Sequence, residues 1–279
     1  MKPALLIEQL SLSIRTEDGL SQILDRVDLA VAPGSVQGLA GESGSGKSIT
    51  ALTVIGLEPP RSEVAGHIWL GDQDLLKITG SDLNAIRGQR VGTVFQDPST
   101  SLHPQLTIGR QLTDHVRCHL KLSKTEALDR AAHGLEQVGV QGGRAVLDRY
   151  PHEFSGGQRQ RIAIAIALAC DPTVLIADEP TTALDVTVQA GVLRLIRELV
   201  DALGLAVLFI THDLGVMSAV ADRVAIMRHG QVVEEGPRRQ VFTQPAHAYT
   251  RQLLAALPGS KDGPSSREDL ARLSPGGAA

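Results

Sequence analysis

The stretch GESGSGKS at residues 41–48 constrains this chain more than any other, and it directly follows the apolar run VQGLA at residues 36–40. It matches G-x-x-x-x-G-K-[ST], in which glycines let the backbone wrap a phosphate chain with its N–H groups pointing inward. Lys47 is the predicted partner of the β- and γ-phosphates, and the Ser48 hydroxyl is a predicted Mg²⁺ ligand. We therefore predict a nucleotide site formed by Gly41, Glu42, Ser43, Gly44, Ser45, Gly46, Lys47 and Ser48.

Short apolar runs alternate with helical patterns along the chain, which predicts an α/β fold with a largely parallel sheet. Strand candidates are VQGLA, HIWL, VGTVF, TVLIAD, AVLFIT, VAIM and QVVEEG. Between residues 107 and 139 the pattern is helical, with a capping box at SKTE, and we predict a helical subdomain inserted in the α/β core. The predicted boundaries are 1–96 and 161–240 for the core, 97–160 for the helical subdomain, 241–258 for a C-terminal segment and 259–279 for a disordered tail.

Two carboxylates end the apolar run TVLIADEP, where a buried strand reaches the ligand-binding edge of a parallel sheet. Asp178 is predicted to hold Mg²⁺ through water, and Glu179 to polarise the attacking water as general base. Gln96, at the tip of another strand, can contact both Mg²⁺ and that water, and His212 can reach the γ-phosphate. A solvated acid pair and structural Gln and His side chains are the alternatives when each is taken alone.

A second predicted anion site is SGGQ, formed by Ser155, Gly156, Gly157 and Gln158 at the start of a helix. The glycines permit close backbone approach, and the helix N-terminus favours negative charge. The chain already has a loop for its own phosphates, so this site makes sense if it completes the nucleotide site of a second chain facing it head to tail. The alternative is an ordinary helix start with a flexible cap.

Composition limits the function classes. Hydrophobic residues make up 42% and charged residues 21% of the chain, which suffices for a globular core. A net charge of −4 and an aromatic content of 3% argue against a nucleic-acid partner. The two cysteines, Cys118 and Cys170, do not form a CxxC pair, and apolar runs are too short to span a bilayer. A soluble, cytoplasmic chain is expected, which can still bind a membrane protein.

Taken together, the motifs resemble those of an ATP-binding-cassette (ABC) ATPase. The matching features are GESGSGKS, Gln96, SGGQ, LIADEP, ALD ending at Asp185, and His212, in the order typical of that family over roughly residues 5–240. The resemblance implies a P-loop ABC ATPase core with an inserted helical signature subdomain, and ATP and Mg²⁺ as cofactors. It also implies a dimer, with Asp185 facing across the interface, whose ATP-driven closure and reopening move a partner protein.

Two further stretches, FQDPSTSLHP and PAHAYTRQLLAALP, resemble the oligopeptide, dipeptide and nickel importer branch. Such an ATPase is peripheral on the cytoplasmic face of the inner membrane, under two membrane permease subunits fed by an extracytoplasmic substrate-binding protein. The stretch after Gln96 is where the permeases contact the ATPase. This chain has His103 where the branch has Asn, and it has no aromatic residue in 13–24 to stack on adenine. It also lacks the cysteine-rich extension that can hold an iron–sulfur cluster, so we expect no cluster.

Several alternatives stay open. The second ATPase of the dimer can be a second copy of this chain or a different ABC ATPase. Peptide is the expected cargo, and nickel or another small solute is the alternative. Three other classes are less favoured. Ribosome-acting cassette proteins usually carry two cassettes, and this chain has one. DNA-repair cassettes contain a long coiled coil, and this chain shows no sustained heptads. A P-loop kinase would have no use for SGGQ.

Overall fold

The computed structural model describes residues 2–17, 19–96, 101–182 and 184–257. These residues form two compact units, one within Met1–Thr79 and Val200–Ala279 and the other within Gly80–Leu199. The predicted disordered tail at 259–279 lies outside the described residues, as do 97–100 of the stretch expected to face the permeases and Ala183 of the ALD motif. The predicted core and subdomain boundaries stay predictions.

The first half of the chain contains β1 (Leu5–Thr16), β2 (Gly19–Val31), β3 (Val36–Ala40), α1 (Lys47–Val54), β4 (Ser62–Leu70), β5 (Gln73–Asp74), α2 (Ser81–Ile86), β6 (Val91–Val94), α3 (Ile108–Leu120) and α4 (Lys124–Gln137). The second half contains α5 (Gly156–Leu168), β7 (Val174–Asp178), α6 (Val186–Leu203), β8 (Ala206–Thr211), α7 (Leu214–Val220), β9 (Arg223–Arg228), β10 (Gln231–Pro237), α8 (Arg238–Thr243) and α9 (Ala248–Ala255).

In the first unit, β3 is parallel to both β8 and β9, and β10 is antiparallel to β9. Every residue of β3 and β8 is buried, as expected of strands covered on both faces. Because β3 lies between β8 and β9, the loop that follows it starts beside the carboxyl ends of two further strands. This arrangement places the glycine-rich loop at a sheet edge of the kind where ligands bind in α/β proteins.

An antiparallel sheet in the order β2-β1-β4-β5 also belongs to the first unit, and the sequence analysis did not predict it. The apolar residues Leu5, Ile7, Leu10 and Leu12 of β1 are fully buried. The register of β1 against β2 shifts between Ile7 and Leu10, and Gln9 has a φ of +49°. This bulge breaks the simple alternation of apolar and polar residues that would have marked the strand.

The second unit pairs β6 with β7 in parallel and adds the helical region. Helices α3 and α4 confirm the predicted helical stretch, and Ser123 and Glu126 form the predicted capping box at the start of α4. The apolar faces of both helices are buried through Ile108, Leu112, Val116, Ala127, Ala131 and Leu135. The stretch DVTVQAGVLRLIRELVDALG predicts an amphipathic helix with Val192, Leu195, Ile196 and Leu199 on one face, and the structure confirms that these four residues of α6 are buried.

One helix end was predicted wrongly. The pattern KSITALTVIGL after the glycine-rich loop predicts a helix over residues 47–57, stopped by Pro59 and Pro60, but α1 ends at Val54. Gly56 has a φ of +61°, its N–H bonds to the carbonyl of Thr53, and the N–H of Leu57 bonds to the carbonyl of Leu52. The left-handed glycine therefore closes the helix before the prolines are reached.

Across the described residues, the helices are too short or too polar to cross a lipid bilayer.

Candidate active site

Residues 41–48, here called the phosphate loop, connect β3 to α1 in the first unit. Gly44 and Gly46 have φ angles of +80° and +109°, a region that residues with a side chain rarely adopt. A Cβ on Gly46 would lie 2.8 Å from Cδ2 of Leu24, and a Cβ on Gly41 would lie 2.2 Å from the carbonyl oxygen of Met227. The glycines are therefore required both by backbone conformation and by close packing.

Lys47 is buried at the first position of α1. Its ammonium group donates to the carbonyl oxygens of Gly41 and Glu42, at 2.8 Å each. Ser48, the next residue, is exposed. The loop thus holds a cation against its own carbonyls beside an exposed hydroxyl and a helix N-terminus, which is the chemistry that a phosphate chain requires.

The phosphate loop also has supports that the sequence analysis missed. The N–H of Gly230, in the turn after β9, donates to the carbonyl of Ser45 at 2.9 Å. The phenol oxygen of Tyr249, on α9, accepts a hydrogen bond from the N–H of Glu42 at 3.2 Å. Tyr249 lies in the PAHAYTRQLLAALP stretch, which carries the resemblance to the importer branch.

His212 follows β8 in the first unit and is exposed. The next residue, Asp213, has its N–H bonded to the Thr211 hydroxyl at 3.0 Å. Its carboxylate caps α7 by accepting from the N–H groups of Gly215 and Val216. The histidine is therefore carried by a connection that is hydrogen-bonded on the strand side and the helix side.

In the second unit, β7 ends at Asp178 and Glu179 follows it with a φ of +47°, in the left-handed region. Oε2 of Glu179 accepts hydrogen bonds from the Gln96 amide at 3.2 Å and from the Thr182 hydroxyl at 2.8 Å. Two of the predicted catalytic residues, Gln96 and Glu179, are thus brought together. Thr182 was missed, although a hydroxyl three residues after a carboxylate is a usable sequence signal.

The SGGQ residues begin α5. The hydroxyl of Ser155 accepts from the N–H of Gln158, and the Gln158 side chain accepts from the N–H of Ser155, which completes a capping box. Gly156 is half-buried, and a Cβ on Gly157 would lie 2.4 Å from Cγ1 of Val188. Ser155 and Gln158 therefore do form a helix cap, as the alternative interpretation expects. Both residues are also exposed.

Asp185 has a local structural role as well. Its Oδ1 accepts from the N–H of Val188 at 3.0 Å, and its carbonyl accepts from the N–H of Gln189, so it caps α6. The residue is exposed. A capping aspartate keeps its orientation fixed, which suits a residue predicted to face another chain.

The predicted metal ligands Ser48, Gln96 and Asp178 supply a hydroxyl, an amide and a carboxylate oxygen. Hard oxygen donors of this kind, few in number and supplemented by water and phosphate, are what Mg²⁺ prefers. No cluster of three or more histidine, cysteine or acidic residues that could hold a metal alone occurs among the described residues. Each of the three donor types fits Mg²⁺, and their joint role at one metal ion stays a prediction.

Comparison with known proteins decides the family. The ABC transporter family matches residues 24–182, more than half of the chain. The chain belongs to the ABC transporter family. It is an ATPase of that family, which confirms the predicted α/β P-loop ABC fold and the predicted ATP hydrolysis. The roles of the individual site residues stay predictions.

Relatives of this ABC ATPase include two from Bacillus subtilis (strain 168). The oligopeptide transport ATP-binding protein AppD is 48% identical over 84% of this chain and 72% of its own length. The oligopeptide transport ATP-binding protein OppD is 43% identical over 96% of this chain and 75% of its own length. A solved dimeric ATP-binding cassette, in a post-hydrolysis state bound to ADP and Pi, superposes with a TM-score of 0.74 at 27% identity over 84% of this chain and 99% of that one.

Proposed function

We propose that this ABC ATPase is the ATP-hydrolysing subunit of a peptide importer that carries dipeptides or oligopeptides. The observation that carries the proposal is the 43% identity to an oligopeptide transport ATP-binding protein over 96% of the chain. The similarity includes far more than the nucleotide-binding motifs, which all ABC ATPases share. Nickel or another small solute is the alternative cargo, because the same branch resemblance includes nickel importers.

In the proposed mechanism, Lys47 neutralises the β- and γ-phosphates of ATP, and Ser48, Gln96 and Asp178 would hold Mg²⁺, which when bound would supply further charge neutralisation at the phosphates. Glu179 accepts a proton from the attacking water as general base. Support for this role comes from its carboxylate, which is oriented by hydrogen bonds from Gln96 and Thr182.

His212 is proposed to hold the γ-phosphate, where transition-state charge develops. It directly follows β8 and is exposed to solvent. The neighbouring cap of α7 by Asp213 fixes the backbone that carries it. The proposed role is positional and electrostatic, since phosphoryl transfer requires little covalent chemistry from the protein.

The active form is proposed to be a dimer with a second copy or another ABC ATPase. Ser155, Gly156, Gly157 and Gln158 would act on the partner's nucleotide, and Asp185 would face across the interface. The exposed, capped N-terminus of α5 supports this role because helix N-termini bind anions. A dimeric cassette among the similar solved structures supports the same assembly.

The dimer is proposed to bind two membrane permease subunits at the cytoplasmic face of the inner membrane, with residues 96–104 transmitting its motion. An extracytoplasmic substrate-binding protein would deliver the peptide to those permeases, and nucleic acid has no part in the function.

Co-purification tests the proposal. The tagged chain is isolated from membranes of its own host in mild detergent, and its partners are identified by mass spectrometry. Two permeases, with or without a second ABC ATPase, are expected. Ribosomes or DNA-repair proteins in their place would contradict the importer assignment.

Uptake measurements then identify the cargo. Deleting the gene should abolish uptake of a labelled dipeptide or oligopeptide, and the wild-type gene should restore it while a Glu179→Gln version should not. Unchanged peptide uptake with lost nickel uptake would select the alternative cargo.

A further inference from the structure

Tyr249, on α9, bonds directly to the backbone of the phosphate loop. Its phenol oxygen accepts from the N–H of Glu42 at 3.2 Å, and only 2% of the residue is exposed. The guanidinium of Arg228 lies 4.6 Å from the centroid of the tyrosine ring. A buried side chain from the C-terminal part of the chain, outside the region 24–182 that matches the family, thus supports the loop.

The bond is made to a peptide group that also holds Lys47. The N–H of Glu42 and the carbonyl of Gly41 belong to one planar peptide unit. Tyr249 binds the N–H of that unit, and the Lys47 ammonium donates to its carbonyl oxygen at 2.8 Å. Because the unit is planar, fixing the direction of the N–H also fixes the direction of the carbonyl. The orientation set by Tyr249 therefore reaches the lysine ammonium through one rigid group.

The position of Tyr249 is itself held by the turn that precedes α9. The carboxylate of Glu234, on β10, accepts from the N–H groups of Ala246 and His247 at 2.8 and 3.0 Å. Nδ1 of His247 then accepts from the N–H of Tyr249 at 3.2 Å. The turn is thus fastened to a strand, and it presents the tyrosine in one orientation.

The protonation state of Tyr249 suits a permanent contact. Burial raises the pKa of the phenol above its usual value, and the nearby Glu42 carboxylate adds to the shift. The phenol therefore stays neutral at physiological pH, and its oxygen remains an acceptor with a proton of its own.

We infer that Tyr249 is a positioning residue for ATP binding, which orients the Gly41–Glu42 peptide unit and through it Lys47. The inference rests on the proposed role of Lys47 at the phosphates. Tyr249 acts through the loop and does not bind the reacting atoms. Its removal should consequently weaken ATP binding and leave the rate of the chemical step nearly unchanged.

The test is Tyr249→Phe in the full chain, which removes the phenol oxygen and keeps the ring over which Arg228 lies. Titration calorimetry with a non-hydrolysable ATP analogue and Mg²⁺ gives Kd, and steady-state hydrolysis gives KM and kcat. Loss of the hydrogen bonding between the phenol and Glu42 predicts a rise in Kd and KM of roughly 3- to 10-fold. The expected kcat at saturating ATP stays within about twofold of wild type, since the mutation leaves the groups assigned to the chemical step in place.

The control is Tyr150→Phe, since the chain has two tyrosines and Tyr150 is the exposed one. It should leave Kd, KM and kcat unchanged. The inference is overturned if Tyr249→Phe binds the analogue as wild type does, or if it lowers kcat without changing KM. It is also overturned if the affinity loss disappears when both proteins are compared well below their melting temperatures, because partial unfolding would then explain it.

Lys47→Ala separates this inference from the proposed function. Unchanged affinity in Lys47→Ala would refute the role of the lysine at the phosphates, whatever Tyr249→Phe does. Lost affinity in Lys47→Ala, with wild-type affinity in Tyr249→Phe, would refute only the positioning role. Lys124→Ala, an exposed lysine at the start of α4, should bind the analogue normally.

Discussion

The hydroxyl of Thr182 donates to Oε2 of Glu179 at 2.8 Å, the same oxygen that accepts from the Gln96 amide. The backbone strengthens this pairing, because the N–H of Thr182 also bonds to the carbonyl of Glu179. Thr182 is therefore tied to the proposed general base through both its side chain and its main chain.

We predict that Thr182→Val lowers kcat by roughly 10-fold while Thr182→Ser retains most of the activity, because only the valine lacks the hydroxyl donor. KM for ATP should change little, since Thr182 has no assigned contact with the nucleotide. Steady-state ATP hydrolysis measures both constants. Thr113→Val makes the same chemical change at a buried intrahelical bond to the Gly109 carbonyl and should leave kcat unchanged. Wild-type kcat in Thr182→Val would show that the hydrogen bond does not position the base.

Replacing Glu179 by Gln removes the proton acceptor and keeps the size of the side chain. We predict normal ATP binding, a kcat lower by roughly 100-fold or more, and a closed dimer that persists with ATP. Single-turnover hydrolysis and size-exclusion chromatography with ATP measure these effects. Glu136→Gln, at an exposed position of α4, serves as the control. Hydrolysis at the wild-type rate by Glu179→Gln would remove this residue from the mechanism.

Two serines in the second unit form the same kind of capping box, Ser155 on α5 and Ser123 on α4. Replacing either by alanine should cost about 1 kcal/mol of unfolding free energy, because each loses one cap. We predict that only Ser155→Ala also loses ATP-dependent dimerisation and the hydrolysis that depends on it. Denaturant titration and light scattering with ATP compare the pair. Equal activity in the two variants would mean that Ser155 is a helix cap and nothing more.

Asp74 offers a test of stability against pH. Burial opposes ionisation of its carboxyl, but bonds from His67, Lys77 and the N–H groups of Ile68 and Leu76 outweigh burial and lower its pKa below the usual value. A lowered folded-state pKa contributes stability that is present above the unfolded pKa and is lost as pH falls through the folded pKa.

We accordingly predict that Asp74→Asn lowers the urea midpoint at pH 7, and that the gap from wild type narrows as pH falls below about 4, near the unfolded value. Asp82→Asn, on the exposed start of α2, should show no such gap at either pH. A gap that stays constant down to the acid-unfolding limit would contradict the assignment of this stability to the ionised carboxylate.

The sequence predicted β3, β8 and the glycine-rich loop well because each has a local signal. Strands buried on both faces are continuous apolar runs, and glycines at positive φ are needed wherever the loop wraps closely. Strand β1 escaped prediction because its bulge near Gln9 interrupts the period of two.

The supports of the site were harder to predict. Tyr249 meets Glu42 more than two hundred positions away along the chain, and nothing in either local sequence specifies that pairing. The Thr182 contact depends on the turn after β7, where Glu179 adopts a left-handed backbone. Such contacts are set by tertiary arrangement, so motif spacing identifies the groups that do the chemistry better than the groups that hold them.

The left-handed backbone of Glu179 sets protein stability against activity. A side chain at this φ costs on the order of 1 kcal/mol or more, which a glycine would not incur. The chain nevertheless keeps a carboxylate there and compensates with two hydrogen bonds to it. Directed evolution for thermal stability alone would therefore favour the loss of Glu179, on which turnover is proposed to depend. A screen for more stable variants of this ATPase has to select for ATP hydrolysis at the same time.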